Sequence, residues 1–200
     1  MTHPAAMLPE LHWTAAALPD TEMTLVAVYS PEDGAVRASG VAVPRDEELP
    51  AAAVGRLLLE LMDRLEAIAP ETAEREMDPR PVEPRDGVDQ PVADALAAYA
   101  AWDVAALDAL PVVQPGTGFR QDAWAALRSV PPGAPVTYGE LAARAGSPRA
   151  VRAAGGACAA NLAAVVVPCH RVVPAAGGTG SYLYGPAAKA ALLEHEARHA

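Results

Sequence analysis

The sequence predicts an α/β N-terminal unit, residues 1–114, followed by a mostly α C-terminal unit, residues 115–200, built around a helix-turn-helix. Three observations lead there. A strand-turn-strand pattern opens the chain and a long amphipathic stripe follows it. After Gln114-Pro115-Gly116, short helical segments alternate with Gly and Pro breaks. The charge changes sign at the same place: residues 1–114 hold 7 arginines against 21 acids, a balance of −14, whereas residues 115–200 hold 8 basic residues against 4 acids, a balance of +4.

The elements follow in order. Leu25-Val26-Ala27-Val28-Tyr29, the turn Pro31-Glu32-Asp33-Gly34 and the return Val36 to Val43 predict a hairpin. Between Ala51 and Ile68, the residues Val54, Leu57, Leu58, Leu61, Met62, Leu65 and Ile68 recur at three- and four-residue intervals, so a helix comes next and Pro70 ends it. From Pro70 to Pro91 the acidic stretch broken by Pro79, Pro81 and Pro84 predicts a loop, and short helices are expected over Val92 to Tyr99 and Val104 to Leu110. Phe119 to Val130 predicts a helix with Phe119, Ala123, Trp124 and Leu127 on one side, stopped by Pro131-Pro132-Gly133. Thr137, with Glu140 at the capping-box position, starts the next helix, and Gly146 breaks it. Ser147-Pro148 then opens a helix from Arg149 to about Ala160, which completes the helix-turn-helix.

Composition bounds the function. Of the 200 residues 52% are hydrophobic, but the excess is alanine, and no stretch approaches the roughly 18 uninterrupted apolar residues of a membrane helix. The opening residues carry no basic region followed by an apolar one, so a cytoplasmic address is expected. Two cysteines, Cys158 and Cys169, make neither a disulfide framework nor a structural zinc site, and both are expected reduced. The basic C-terminal half is the expected nucleic-acid face.

Four motifs compete for the chemistry. His195-Glu196-Ala197-Arg198-His199 matches the H-E-x-x-H zinc-protease pattern, but only Ala200 follows to supply a third ligand, so a coincidence in a charged helix is the better reading. Pro168-Cys169-His170-Arg171 follows the apolar run Ala163 to Val167, read as a buried strand. A cysteine there is an inert small hydrophobe unless a base or positive charge lowers its pKa from about 8.5, and His170 and Arg171 are adjacent to do so. On an extended strand their side chains point to opposite faces, so contact between Cys169 and His170 requires a turn or a bridging water. Gly177-Gly178-Thr179-Gly180 reads as a turn, since it lacks the G-x-G-x-x-G spacing of a phosphate cradle. The second helix of the helix-turn-helix sets Arg149 and Arg152 among alanines and glycines, with no amide side chains to read base edges, which suits backbone and shape recognition.

Taken together, Thr137-Tyr138-Gly139-Glu140-Leu141-Ala142, Pro148-Arg149-Ala150-Val151-Arg152-Ala153, Asn161, Pro168-Cys169-His170-Arg171-Val172-Val173, Gly180-Ser181-Tyr182 and Lys189 through Glu196 resemble, in order and spacing, the O6-alkylguanine-DNA alkyltransferases. The likeness runs nearly continuously from Gly116 to Glu196. It implies an RNase H-like N-terminal domain and a winged-helix-like C-terminal one. It implies a monomer that needs no cofactor or metal, binds duplex DNA containing O6-alkylguanine, flips the base out and transfers the alkyl group irreversibly to its own cysteine. Carried over residue by residue, Cys169 is the acceptor, His170 takes its proton through a water and is polarised by Glu196, Tyr138 supplies a hydroxyl to the base, and Asn161 stabilises the turn holding the cysteine loop. Arg152 fills the space of the flipped nucleotide, with Arg149, Ala153, Gly155 and Thr137 as further DNA contacts. Tyr182, Val172, Leu183 and Cys158 form the substrate pocket. The chain departs from the family pattern at Leu162, where proline is frequent, at Tyr184, where a small residue is, and at Cys158, where a larger apolar one is. A non-catalytic DNA-binding sensor or regulator is the alternative of a different class.

Overall fold

The computed structural model describes residues 10–73 and 90–200. Three strands, β1 (His12–Ala17), β2 (Thr24–Tyr29) and β3 (Val36–Ala42), form an antiparallel sheet in the order β1-β2-β3. Strand β1 is an addition to the hairpin expected from sequence. Its run His12-Trp13-Thr14-Ala15-Ala16-Ala17 is half alanine, a poor strand former, and it holds through pairing from His12↔Tyr29 to Ala17↔Thr24.

Strand β2 is buried on both faces, and its two-residue period sorts the core. Val26 and Val28 pack with Leu57, Leu61 and Leu65 of helix α1 (Pro50–Ile68). Leu25, Ala27 and Tyr29 face a second cluster, which holds Val92, Leu96 and Tyr99 of α3 (Gln90–Ala100) and much of the C-terminal half. The sheet thus lies between helices, in a small α/β arrangement, and the second core runs without interruption past residue 114. A short helix α2 (Pro70–Ala73) begins at Pro70, which opens a new turn as well as ending α1. Residues 74–89 of the expected proline-broken loop lie outside the described residues, and Pro91 sits in the first turn of α3. In place of the helix expected over 104–110 there is one 3-10 turn, Ala106–Ala109, closed as Leu110 N–H donates to Leu107.

In the C-terminal half, α4 (Phe119–Arg128) buries Ala123, Trp124, Ala126 and Leu127. Strand β4 (Val136–Thr137) pairs in parallel with β5 (Val172–Val173) and leads into α5 (Tyr138–Arg144). The expected capping box is present: Thr137 Oγ1 accepts from Glu140 N–H at 3.2 Å, and Glu140 Oε2 accepts from Thr137 N–H at 2.6 Å. Thr137→Ala should cost about 1 kcal/mol, read as a fall of roughly 2–4 °C in Tm; an unchanged Tm would show the cap to be redundant.

Gly146 takes φ +75°, and the chain re-enters a helix at α6 (Val151–Ala159), two residues later than expected. Ser147 is not its N-cap. The Ser147 carbonyl accepts from Ala150 N–H at 2.8 Å, so Ser147 to Ala150 form a separate turn and Ala150 takes the cap position. The expected strand over Ala163 to Val167 is instead a buried loop with Val165 at φ +75°. Such a backbone is strained for a β-branched residue and persists only where its surroundings over-determine it. Helix α7 (Pro186–Ala197) closes the chain against the loop.

Candidate active site

The loop that carries Cys169 is gripped from the other half of the chain. Ser39 on β3 donates its N–H to Leu162 O at 2.9 Å, accepts from Ala164 N–H at 3.1 Å and bonds Ala164 O through its hydroxyl at 2.8 Å. Arg64 on α1 reaches Ala159 O at 3.2 Å and Asn161 O at 3.0 Å. Gln114 accepts from Leu162 N–H at 2.9 Å and donates to Asn161 Oδ1 at 3.1 Å. Asn161 in turn donates from Nδ2 to Val167 O at 2.8 Å, which bridges the two ends of the loop.

Cys169, His170 and Arg171 form a 3-10 turn. That geometry replaces the extended strand assumed from sequence, and it separates successive side chains by about 120° rather than alternating them. Cys169 faces a cavity, while His170 and Arg171 both turn to Glu196 on α7. Glu196 is fully buried and collects four hydrogen bonds. Oε1 accepts from Tyr99 Oη at 3.0 Å, His170 Nε2 at 2.9 Å and an Arg171 terminal nitrogen at 2.9 Å; Oε2 accepts from Arg171 Nε at 2.9 Å. Burial alone would raise the Glu196 pKa, but His170 and Arg171 outweigh it and bring the carboxyl down from 4.5 to about 2.

An ionised Glu196 can only accept, so His170 Nε2 carries the hydrogen between them. When the ring is neutral, its lone pair therefore lies on Nδ1. That atom is buried and has no protein partner among the described residues. The site thus holds a base of fixed tautomer beside the cysteine in sequence. Burial pushes the Cys169 thiol up, against which the neighbouring Asn161 amide and the charges of Lys189 and Arg64 pull down. Lys189 is itself 1% exposed, donates to Val172 O at 2.6 Å, and has its pKa lowered by that burial.

The cavity measures about 340 Å³, a size that suits a small planar ligand. Cys169, Asn161, Tyr138, Cys158, Tyr182, Leu183 and Gly155 line it. The Tyr182 hydroxyl is buried and unpartnered among the described residues, and burial raises the pKa of both Tyr182 and Tyr138, so both hydroxyls keep their protons. Burial, followed by the neighbouring Cys169, pushes the Cys158 thiol up to about 12, so Cys158 keeps its proton. Val172, expected in the pocket, does not line it; β5 pairing places Val172 in the apolar core beside Val136. Tyr184 also lies outside it, with its ring over Gly40, where a Cβ would meet the hydroxyl at 2.2 Å.

Of the remaining expected residues, Arg149 and Arg152 are exposed, in the turn before α6 and in its first turn, and Ala153 is exposed beside them. The Thr137 hydroxyl is committed to Glu140. The metalloprotease pattern is occupied otherwise: His195 Nε2 bonds Tyr99 O at 2.9 Å, and His195 and His199 both stack on Trp102. No group of three metal-binding side chains occurs among the described residues, and none of their helices is long and apolar enough to cross a membrane.

Sequence reasoning missed Tyr99, Gln114, Arg64 and the inward turn of Arg171. Two signals were present. Tyr99 continues the Val92, Leu96 stripe at helical spacing, and Gln114 is a lone amide closing the apolar tract Val112-Val113.

Residues 118–198 match the family model described as 6-O-methylguanine DNA methyltransferase, DNA binding domain. The chain is 48% identical over 90 residues to the bifunctional transcriptional activator/DNA repair enzyme Ada of Escherichia coli, covering 45% of this chain and 25% of that one. It is 44% identical over 105 residues to the methylated-DNA–protein-cysteine methyltransferase of Salmonella typhimurium, covering 52% of this chain and 61% of that one. The matches therefore span about a quarter and about three fifths of these relatives. A crystal structure of Mycobacterium tuberculosis OGT in complex with DNA superposes with a TM-score of 0.61 at 26% identity, over 94% of each chain.

Proposed function

We propose that this chain, whose residues 118–198 match the family model of the 6-O-methylguanine DNA methyltransferase DNA-binding domain, repairs DNA by moving the alkyl group of O6-alkylguanine irreversibly to Cys169. The observation that carries the reading is the set of Glu196, His170 and the cavity-facing Cys169, with the base lone pair forced onto His170 Nδ1. A water between Nδ1 and the sulfur takes the thiol proton toward His170. The thiolate attacks the alkyl carbon, the S–C bond forms as the O6–C bond breaks, and guanine leaves with the bonding electrons. Tyr138, whose hydroxyl stays protonated, donates to the departing base. The imidazolium formed on His170 is held by Glu196.

The partner is duplex DNA, and recognition rests on α6. Its exposed arginines among small residues suit phosphate and groove contacts, and the base enters the cavity by flipping, with Arg152 filling the gap. We read residues 1–114 as an RNase H-like domain and 115–200 as a winged-helix-like one, working as a monomer in the cytoplasm. Arg152→Ala tests the flipping step. It should slow alkyl removal from a duplex at least tenfold, because unstacking costs a few kcal/mol, and leave reaction with free O6-benzylguanine within about twofold. Equal losses on both substrates would remove Arg152 from that role.

A further inference from the structure

We propose that Gln114 is a positioning residue whose side-chain amide fixes which way the Asn161 amide faces, and so aims an Asn161 N–H at the loop that carries Cys169. The inference rests on the reading of Cys169 as the alkyl acceptor.

An asparagine amide is nearly symmetric in shape, and a flip exchanges its donor for its acceptor. In a buried site the direction must come from neighbours whose own roles cannot be exchanged. Leu162 N–H is such a neighbour, because it can only donate. The Gln114 atom 2.9 Å from it must therefore be the oxygen. This leaves Gln114 Nε2, a pure donor, facing Asn161 at 3.1 Å, so the Asn161 atom there must be Oδ1. Ala163 N–H donates to the same oxygen at 3.1 Å. Asn161 Nδ2 is then left for Val167 O at 2.8 Å, the same carbonyl that accepts from Cys169 N–H at 2.8 Å, so the amide donor stands beside the cysteine in the shared cavity, where a thiolate needs a donor.

The one-way donations thus start at a backbone group and end at Val167 O, the carbonyl to which Cys169 N–H is also bonded. Ser39 and Arg64 also hold this segment, but they bond only its backbone, so neither sets the sense of the Asn161 side chain. Gln114 belongs to the half of the chain that lacks the cysteine, which gives that half a part in the chemistry. The Leu162 N–H is the origin of the relay; a proline at that position would have none.

Two variants of the full chain test this. Gln114→Glu keeps the size and the oxygen facing Leu162 but removes the donor, so Asn161 turns its Nδ2 toward the new carboxylate. Gln114→Met removes both polar atoms without adding charge and leaves Ala163 alone to hold Oδ1. The measurement is the pH dependence of Cys169 alkylation by iodoacetamide, read by peptide mass spectrometry that separates Cys169 from Cys158. It needs no O6-alkylguanine, so failure of the proposed activity cannot imitate failure of the relay.

For Glu the midpoint should rise by about one pH unit, a roughly tenfold slower reaction at neutral pH. For Met the slowing should be about threefold. Both rates should recover at alkaline pH. An unmoved midpoint, or a rate depressed equally at every pH, overturns the proposal. Should a variant not fold, nuclear Overhauser contacts in the unmodified protein decide it: Asn161 amide protons close to Cys169 support the relay, and the same protons close to Gln114 overturn it.

Discussion

After incubation with a duplex carrying O6-methylguanine, the protein should gain about 14 Da per chain, the difference between a methyl group and the thiol hydrogen it replaces. All of the gain should lie on the peptide containing Cys169. Removal should stop at one methyl per chain, since a thioether has no easy route back to a thiol. Cys169→Ser should take up none, because a buried hydroxyl is far harder to ionise than a thiol. Cys158→Ser should retain uptake: its thiol, pushed up to about 12 by burial, is not poised to react. A methyl group found on Cys158, or uptake that survives in Cys169→Ser, would overturn the assignment.

Glu196→Gln should have the largest effect on stability. The substitution keeps the shape but removes the counter-ion of Arg171, which is 3% exposed and already spends its other terminal nitrogen on Val130 O at 2.6 Å. Breaking one partner out of a buried pair costs about 3–5 kcal/mol, a fall of roughly 6–20 °C in Tm for a chain of this size. The pH dependence carries a sign. The Glu196 pKa is about 2 in the folded protein against 4.5 as its ordinary value. Its contribution is therefore complete above about 4.5 and is lost as pH falls through about 2, on the order of 3 kcal/mol in all. Tm measured from neutral pH down to about 2 should fall less steeply in that window for Glu196→Gln than for the unmodified protein. Parallel curves would show that Glu196 is not the group responsible. Alkyl uptake should also slow sharply, because a neutral amide neither fixes the His170 tautomer nor balances an imidazolium.

The parts of this molecule legible in its sequence are those set by short-range rules. The hairpin, the α1 stripe and the Thr137-Glu140 box each depend on residues a few positions apart. Cys169, His170 and Glu196 were legible as a pattern, but their geometry was not. A strand was expected where a loop runs, since Ala163 to Val167 is apolar throughout and only the polar grip of Ser39 and Asn161 bends it. The alanine-rich β1 carries little strand signal of its own and depends on its partner. Arg149 was placed in a helix because Ser147-Pro148 is a good local opening; the turn from Ser147 to Ala150 overrides it. Arg171 read as a charge for the cysteine, whereas the 3-10 turn gives it to Glu196. Gln114 and Arg64 act across long separations, which periodicity cannot register.

Those separations bear on how the chain acquires its reactive state. The contact between Tyr99 and Glu196 spans 97 residues, that between Gln114 and Asn161 spans 47, and that between Ser39 and Ala164 spans 125. Non-local closures of this kind are made late in folding, after the local helices and the hairpin. Before they form, Cys169 is an ordinary thiol with a pKa near 8.5, without an oriented histidine or an aimed amide. A folding intermediate should therefore react with soft electrophiles at the rate of a free peptide, and the rate should change only in the final kinetic phase. Timing thus follows from those separations: Cys169 is armed only once α7 has docked and brought Glu196 to His170 and Tyr99.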